Sequence, residues 1–159
     1  IDEARAITTT EDGNFIIVGD TRSTDINVTS AKGNADIWMF KIDENGTIIS
    51  QKSFGGTSFD VARSITTLQN GNFVIAGSSR SLNGNVSENK GQNDGWILEV
   101  NQNAQLIWQK TVGGDQIDFF YDAVQINNGK IIAVGETSSS NGDILENKGF
   151  SDVLITKIK

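Results

Sequence analysis

Short apolar runs bounded by glycine recur along the chain and predict β-strands. Residues 15–18, 73–76 and 131–134 are apolar without alternation, which is typical of strands covered on both faces. A glycine-centred turn precedes each run, and such turns between β-rich segments are a strong hairpin signal. These turns are Asp12-Gly13, Asn70-Gly71 and Asn128-Gly129. Because the runs are short and rich in β-branched residues, helices are not expected.

The pattern repeats every 58 residues without an insertion. The residues that recur at this spacing include Asp2, Asp60 and Asp118; Gly19, Gly77 and Gly135; and Asp36, Asp94 and Asp152. Each period contains the first hairpin, a long polar loop, and a second hairpin that begins at "DIWMFKI", "DGWILEV" or "DVLITKI". The sequence therefore predicts an all-β fold with four antiparallel strands per period.

Four-stranded units at this period predict the blades of a β-propeller. The chain holds about 2.75 such units: residues 1–58, residues 59–116, and residues 117–159, which lack the fourth strand. Propellers close with four or more blades. We therefore predict an incomplete ring, completed either by further blades of a longer parent chain or by a second copy in a homodimer with six blades.

Composition excludes several classes of protein. The net charge is -7 and no basic run is present, which argues against a nucleic-acid partner. No apolar stretch approaches the ~20 residues that a membrane-spanning helix requires, so membrane insertion is not expected. The chain contains no Cys and no His, which removes disulfides and the usual catalytic bases and zinc ligands. We therefore predict a protein that is not an enzyme and has no cofactor, with calcium as one open alternative.

The combined motif resembles a known family of repeats. It reads "GG-(x)3-D-x-A-x-x-I", then "(D/N)-G-N-F-I-I-V-G", then "N-K-G-x-x-D-x-W", then "K-I-D-x-N-G-x-I-x-x-Q-K-x-x-G-G". This pattern is similar to the β-propeller-like repeats of secreted and cell-surface proteins from Bacteroidetes-type bacteria. The resemblance implies an extracellular or cell-surface location and a parent with several domains. It implies no catalytic residue. No signal peptide is visible at Ile1, which leaves a cytosolic protein, a mature secreted one or an internal piece as alternatives.

The long loops carry the candidate metal ligands. Asp25, Asn27, Asn85 and Asp143 offer the carboxylate and amide oxygens that calcium prefers. Their spacing does not match a complete EF-hand loop. The alternative is a rigid loop held by hydrogen bonds between polar side chains and the backbone, a role that suits Asn, Asp and Ser.

Three further residues, together with Asn85 and Asp143, are candidate ligand contacts. Arg22 and Arg80 occupy the same position in successive units, where they form either a solvated edge or a site for a carboxylated glycan. Trp108 has Ser50 as its counterpart, so it is a candidate for stacking on a sugar, with core packing as the alternative. Trp38 and Trp96 alternate with apolar residues and are expected to lie on a packed face.

Repeated acids and glycines are expected to have structural roles. Asp2, Asp60 and Asp118 follow the Gly-Gly exits and are expected to tie one blade to the next. Asp36, Asp94 and Asp152 precede a strand and are expected to accept backbone N–H groups from the Lys-Gly turns. Those turns contain Gly33, Gly91 and Gly149.

The preferred functional hypothesis is a non-catalytic extracellular propeller module that serves as a binding or adhesion scaffold for a protein or glycan. The alternative is a carbohydrate-binding lectin with sites repeated in each blade. A propeller glycosidase ranks third, because active sites usually break the symmetry of a repeat and no paired carboxylates are evident.

Overall fold

The structure is a computed structural model that describes residues 1–25, 27–28 and 30–158. The described residues form eleven β-strands and no helix, so the all-β prediction is confirmed. No helix among them is long and apolar enough to cross a bilayer. The strands are β1 (Asp2–Thr9), β2 (Phe15–Thr21), β3 (Asp36–Ile42), β4 (Ile48–Phe54), β5 (Asp60–Thr67), β6 (Phe73–Ser79), β7 (Asp94–Val100), β8 (Leu106–Val112), β9 (Asp118–Gln125), β10 (Ile131–Thr137) and β11 (Asp152–Ile158).

The strands form three antiparallel sheets that follow the order of the chain. Sheet one is β1-β2-β3-β4, sheet two is β5-β6-β7-β8, and sheet three contains β9, β10 and β11 with β10 in the middle. The count of eleven strands in groups of four, four and three agrees with the sequence prediction. None of the three sheets closes on itself.

Glycine turns set the register of the first hairpin in each sheet. Gly13, Gly71 and Gly129 have φ values of 80°, 79° and 82°, a left-handed conformation that glycine adopts without a steric penalty. A second glycine lies opposite an irregularity in the first strand. In sheet two the register shifts between Ala62 and Ser64, and a Cβ on Gly77 would overlap the carbonyl oxygen of Val61. The local backbone geometry therefore requires glycine at this position.

The apolar core lies between the sheets. One cluster joins sheet one to sheet two and contains, among others, Val18, Ile37, Met39, Ile75 and Trp96. A second cluster joins sheet two to sheet three and contains Ala76, Ile97, Phe120, Ala133 and Leu154, among others. Each sheet therefore buries one face against the next sheet, and sheet two buries both faces.

The number of neighbouring sheets decides whether a strand is covered on both faces, as the sequence predicts. Every residue of β6 is buried, because sheet two has a neighbour on each side. In β10 only Ile131, Ala133 and Thr137 are buried, because only one of its faces has a neighbouring sheet. Trp96 is fully buried as expected, whereas Trp38 is only half-buried on the outer face of sheet one.

The first strands of the three sheets lie next to one another, since β5 contacts β1 and β9 contacts β5. Parallel bridges join the ends of the first two long loops to the start of the next sheet, at Ala35 with Phe59 and at Asn93 with Ile117. The Gly-Gly exits and the loop ends therefore meet at the same end of neighbouring sheets.

Candidate functional site

Asp60 anchors the junction between sheets one and two. Its buried carboxylate accepts hydrogen bonds from the backbone N–H of Gly56 at 2.8 Å, from the hydroxyl of Ser81 at 2.6 Å, and from the hydroxyl of Ser79. Gly56 belongs to the exit of the first unit, Ser79 is the last residue of β6, and Ser81 follows it. The carboxylate therefore joins the exit of one unit to the end of the second strand of the next.

The same arrangement recurs at the next junction. The buried carboxylate of Asp118 accepts hydrogen bonds from Gly114 N–H at 2.9 Å, from Ser139 at 2.8 Å, and from Thr137. Asp2 keeps the two hydroxyl donors, Thr21 and Ser23, but its side chain is exposed. Asp60 and Asp118 thus bond an exit glycine of the preceding unit, whereas both hydroxyl partners of Asp2 lie within the first unit.

A second set of carboxylates supports the Lys-Gly turns. Asp36 accepts backbone hydrogen bonds from Lys32 and Gly33, Asp94 accepts one from Lys90 at 3.0 Å, and Asp152 accepts one from Lys148 at 2.5 Å. Asp36 and Asp94 are buried, whereas Asp152 is half-buried.

Asp94 also faces another acid. Within the described part of the chain, the Oδ1 atoms of Asp94 and Asp36 are buried without a hydrogen-bond partner. A Cβ on Gly113 would lie 2.7 Å from Asp94 Oδ1 and 2.6 Å from Asp118 Oδ2, so the two carboxylates meet at this glycine. Burial raises the pKa of Asp94 to about 6, and the nearby Asp118 and Asp143 charges act in the same direction.

The predicted turn glycines differ in their surroundings. Gly33 and Gly91 lie so close to the main chain that enters the next sheet that a Cβ would overlap Gly56 and Ser58 or Gly114 and Asp115, respectively. At Gly149, no heavy atom of the described residues other than its chain neighbours lies within 4 Å of the equivalent Cβ position. The tight packing therefore occurs where the structure contains a following sheet.

The candidate calcium ligands are spread over three loops. The amide oxygen of Asn85 accepts a hydrogen bond from Gly55 N–H at 3.1 Å. Asp143 accepts one from Gly113 N–H at 3.2 Å and pairs with the Lys90 ammonium at 3.0 Å. Asp25 and Asn27 are exposed in the first loop.

Asn27, Asn85 and Asp143 occupy the same position in successive units. Asn85 and Asp143 bond different exits, at Gly55 and at Gly113, so they do not share one site. Among residues 1–25, 27–28 and 30–158, no group of three or more His, Cys, Asp or Glu side chains could hold a metal ion. Calcium binding therefore stays a prediction.

Arg22 and Arg80 converge on one aromatic ring. Each guanidinium carbon lies 5.8 Å from the centroid of Phe59, within the range of a cation–π contact. Both arginines are exposed, and Phe59 is half-buried. We call Arg22, Phe59 and Arg80 the arginine cluster.

Backbone hydrogen bonds fix the main chain of both arginines in the arginine cluster. Backbone hydrogen bonds of 2.9 Å join Arg22 N–H to Ile1 and Arg80 N–H to Phe59. Arg80 Nε also donates to Asn93 Oδ1 at 3.4 Å. In the described part of the chain, neither guanidinium forms an ion pair with a carboxylate. The cluster therefore presents two positive charges to solvent.

Trp108 lies apart from the arginine cluster, on β8, two strands away from β6, which ends beside Arg80. Its indole N–H donates to Glu99, and its ring packs against the core between sheets two and three. These contacts match the alternative of core packing.

A groove of about 550 Å³ lies between the outer strand of sheet one and the loops of sheet two. Its lining is rich in amides and includes two lysines: Gln51, Asn85, Gln102, Asn103, Gln105, Lys41 and Lys52. Ser50, the counterpart of Trp108, also lines it. Among the candidate ligand residues, only Asn85 lies in this groove.

Sequence reasoning identified Arg22 and Arg80 but did not identify Phe59. Its repeat counterparts are Ile1 and Ile117, so the aromatic ring is a departure from the repeat. That departure, next to an arginine in each of two units, is the signal that would have indicated the cluster.

No protein-family model matches the chain, and no curated protein matches it. The chain is similar to a solved structure of a protein of unknown function from Bacteroides caccae, with 14% sequence identity and a TM-score of 0.44. The match covers 84% of this chain and 38% of the other.

Proposed function

We propose that the chain is a non-catalytic, extracellular or cell-surface segment of a β-propeller that binds an acidic glycan through the arginine cluster. The observation that carries the proposal is the convergence of two exposed arginines on Phe59, at 5.8 Å each. The location rests on the resemblance of the repeat motif to secreted bacterial proteins.

The packing of the sheets supports propeller blades. Consecutive antiparallel sheets of four, four and three strands stack face to face, and their first strands β1, β5 and β9 are neighbours. Radial repetition of such sheets around a shared axis is the architecture of a propeller. The first strands would then surround the axis, with the arginine cluster at one end of it.

The chemistry of the arginine cluster suits a carboxylated sugar. A guanidinium presents a planar fork of donors that matches a carboxylate with two parallel hydrogen bonds. The Phe59 ring adds an apolar surface beside these donors. The net charge of -7 repels an acidic ligand at long range, but this repulsion is screened beyond about 8 Å at physiological ionic strength. The short-range attraction between the two arginines and an acidic ligand therefore outweighs the long-range repulsion.

The arginine cluster is not repeated at the next junction, where Ser138 and Ile117 occupy the positions of Arg80 and Phe59. This difference favours one site over the lectin alternative with a site in every blade. The amide-lined groove supports that second candidate, because amides bind sugar hydroxyls in both the donor and the acceptor direction.

A glycan array tests the proposal. We expect the wild-type chain to retain oligosaccharides that contain uronic or sialic acid, and the variant with Arg22→Gln and Arg80→Gln to lose them. The control variant carries Lys130→Gln and Lys148→Gln, which removes the same charge at two exposed positions. Equal retention by the two double variants would show that the arginine cluster does not bind the ligand, and retention of neutral glycans alone would favour the groove.

A further inference from the structure

Sheet three exposes an apolar face that is buried in sheet one. Val153 and Ile155 are 77% and 67% exposed, whereas their repeat equivalents Ile37 and Met39 are 0% and 3% exposed. Ile37 and Met39 belong to the core that joins sheet one to sheet two. We call the surface formed by Val134, Val153 and Ile155 the leading face.

Sheet one exposes the complementary face. Ile7 is 60% exposed, whereas its equivalent Ile65 is 8% exposed and packed in the core. Trp38 is half-buried and packs against Phe40 in a tilted arrangement with ring centroids 4.2 Å apart, whereas its equivalent Trp96 is fully buried. We call the surface formed by Ile7, Trp38 and Phe40 the trailing face.

These two faces have the same relation to each other as the faces that already pack inside the chain. Sheet one presents its leading side to the trailing side of sheet two, and sheet two presents its leading side to the trailing side of sheet three. The same pairing therefore occurs twice in one molecule, and each pairing buries an apolar cluster. Neither internal contact pairs two leading sides or two trailing sides.

We infer that the leading face of one molecule binds the trailing face of a second copy of this chain, in a head-to-tail contact that continues the internal packing. Removing these exposed branched side chains from water favours association. Since the two faces differ, the contact is heterologous, and it forms a ring if its rotation closes.

A polar contact near the first strands has a counterpart in this arrangement. At the junction between sheets two and three, the guanidinium carbon of Arg63 lies 5.1 Å from the ring centroids of both Phe119 and Tyr121. Tyr121 is the repeat equivalent of Arg63 and remains 42% exposed on sheet three. In the head-to-tail contact, Tyr121 meets the position of Arg5 in the second copy, which restores an aromatic–guanidinium pair with the partners exchanged.

Two copies bring six sheets together, which lies within the range of four to eight blades over which propellers close. We therefore expect a closed dimer with two equivalent contacts rather than an open filament.

Sedimentation velocity over a range of concentrations tests this inference. The wild-type chain is expected to sediment as a dimer, and either Ile155→Lys on the leading face or Ile7→Lys on the trailing face is expected to abolish the closed dimer. The control is Ile107→Lys. Ile107 is 50% exposed on sheet two, which has neighbours on both faces, so it lies outside the proposed contact, and the variant should sediment like the wild type.

Mixing the two lysine variants distinguishes a head-to-tail contact from a symmetric one. Each variant keeps one intact face, so an equimolar mixture should form a heterodimer through one contact while each variant alone stays monomeric at the same concentration. A monomeric wild type at the highest concentration would overturn the inference. So would Ile155→Lys sedimenting as a dimer, or a mixture that does not associate. Circular dichroism on each variant verifies that the β-structure is retained.

Discussion

The substitution Gly91→Ala tests whether the repeated Lys-Gly turn is packed against the next sheet. A methyl group there would lie 2.6 Å and 2.8 Å from the carbonyl carbon and the Cα of Asp115, and closer still to the carbonyl oxygen of Gly114. All three are main-chain atoms, and real Cβ atoms do not approach heavy atoms within 3.0 Å. The entry to sheet three must therefore move.

The magnitude follows from two opposing effects. Overpacking in a well-packed region typically costs about 1–3 kcal/mol, and a backbone obstacle that is itself tied to Asp118 places this case near 3 kcal/mol. Replacing glycine by alanine also restricts the unfolded chain, which stabilises the folded state by about 0.4–1 kcal/mol. We expect Gly91→Ala to lower the free energy of unfolding by about 2 kcal/mol.

Gly149→Ala is the matched control in the same turn of sheet three, because the added Cβ would have no heavy atom of the described chain, beyond its chain neighbours, within 4 Å. It should leave stability unchanged or raise it by up to about 1 kcal/mol. Urea unfolding at equilibrium, analysed by linear extrapolation, measures both variants. If the two substitutions change the free energy of unfolding equally, the packing of Gly91 against the entry to sheet three is refuted.

Two other predictions concern the buried acids. Because the folded pKa of Asp94 is raised from 3.8 to about 6 by burial, with Asp118, Asp143 and Lys90 as the charged groups around it, its protonated form stabilises the fold. The stability of the wild type relative to Asp94→Asn should therefore fall by up to about 3 kcal/mol as the pH rises from about 4 to about 7. Urea unfolding of both proteins across this pH range measures the difference, and parallel stability curves would contradict it. Asp118→Asn should lower the free energy of unfolding by about 1–3 kcal/mol, because the amide nitrogen would face donors that now bond the carboxylate. The equivalent substitution Asp2→Asn should lower it by less, since Asp2 is exposed. Thermal unfolding compares the two variants, and equal losses of stability would refute the argument.

The strands were predictable because glycine turns and apolar runs are local signals. Gly13 and Gly71 have the positive φ that a tight turn requires, and the runs that follow them form β2 and β6. The 58-residue period then divided the strands into groups of four. The burial of each group was only partly predictable, because Trp38 and Trp96 are identical in sequence pattern but differ in whether a neighbouring sheet covers them.

The candidate site was less predictable, since its residues depend on contacts between units. The pairing of Arg22 and Arg80 across Phe59 joins positions 37 residues before and 21 residues after the ring. Comparing units at equal positions would also have separated Asn85 from Asp143, which bond different Gly-Gly exits. Periodicity identifies equivalent residues, but it does not by itself indicate which of them meet.

Titration calorimetry with an oligosaccharide of uronic acid tests the central claim about the arginine cluster most directly. We predict that the wild-type chain binds this ligand with an affinity that falls as the salt concentration rises, and that the double substitution Arg22→Gln and Arg80→Gln abolishes the heat of binding. Binding of equal affinity by the wild type and the double variant would contradict the account, as would the absence of binding by the wild type.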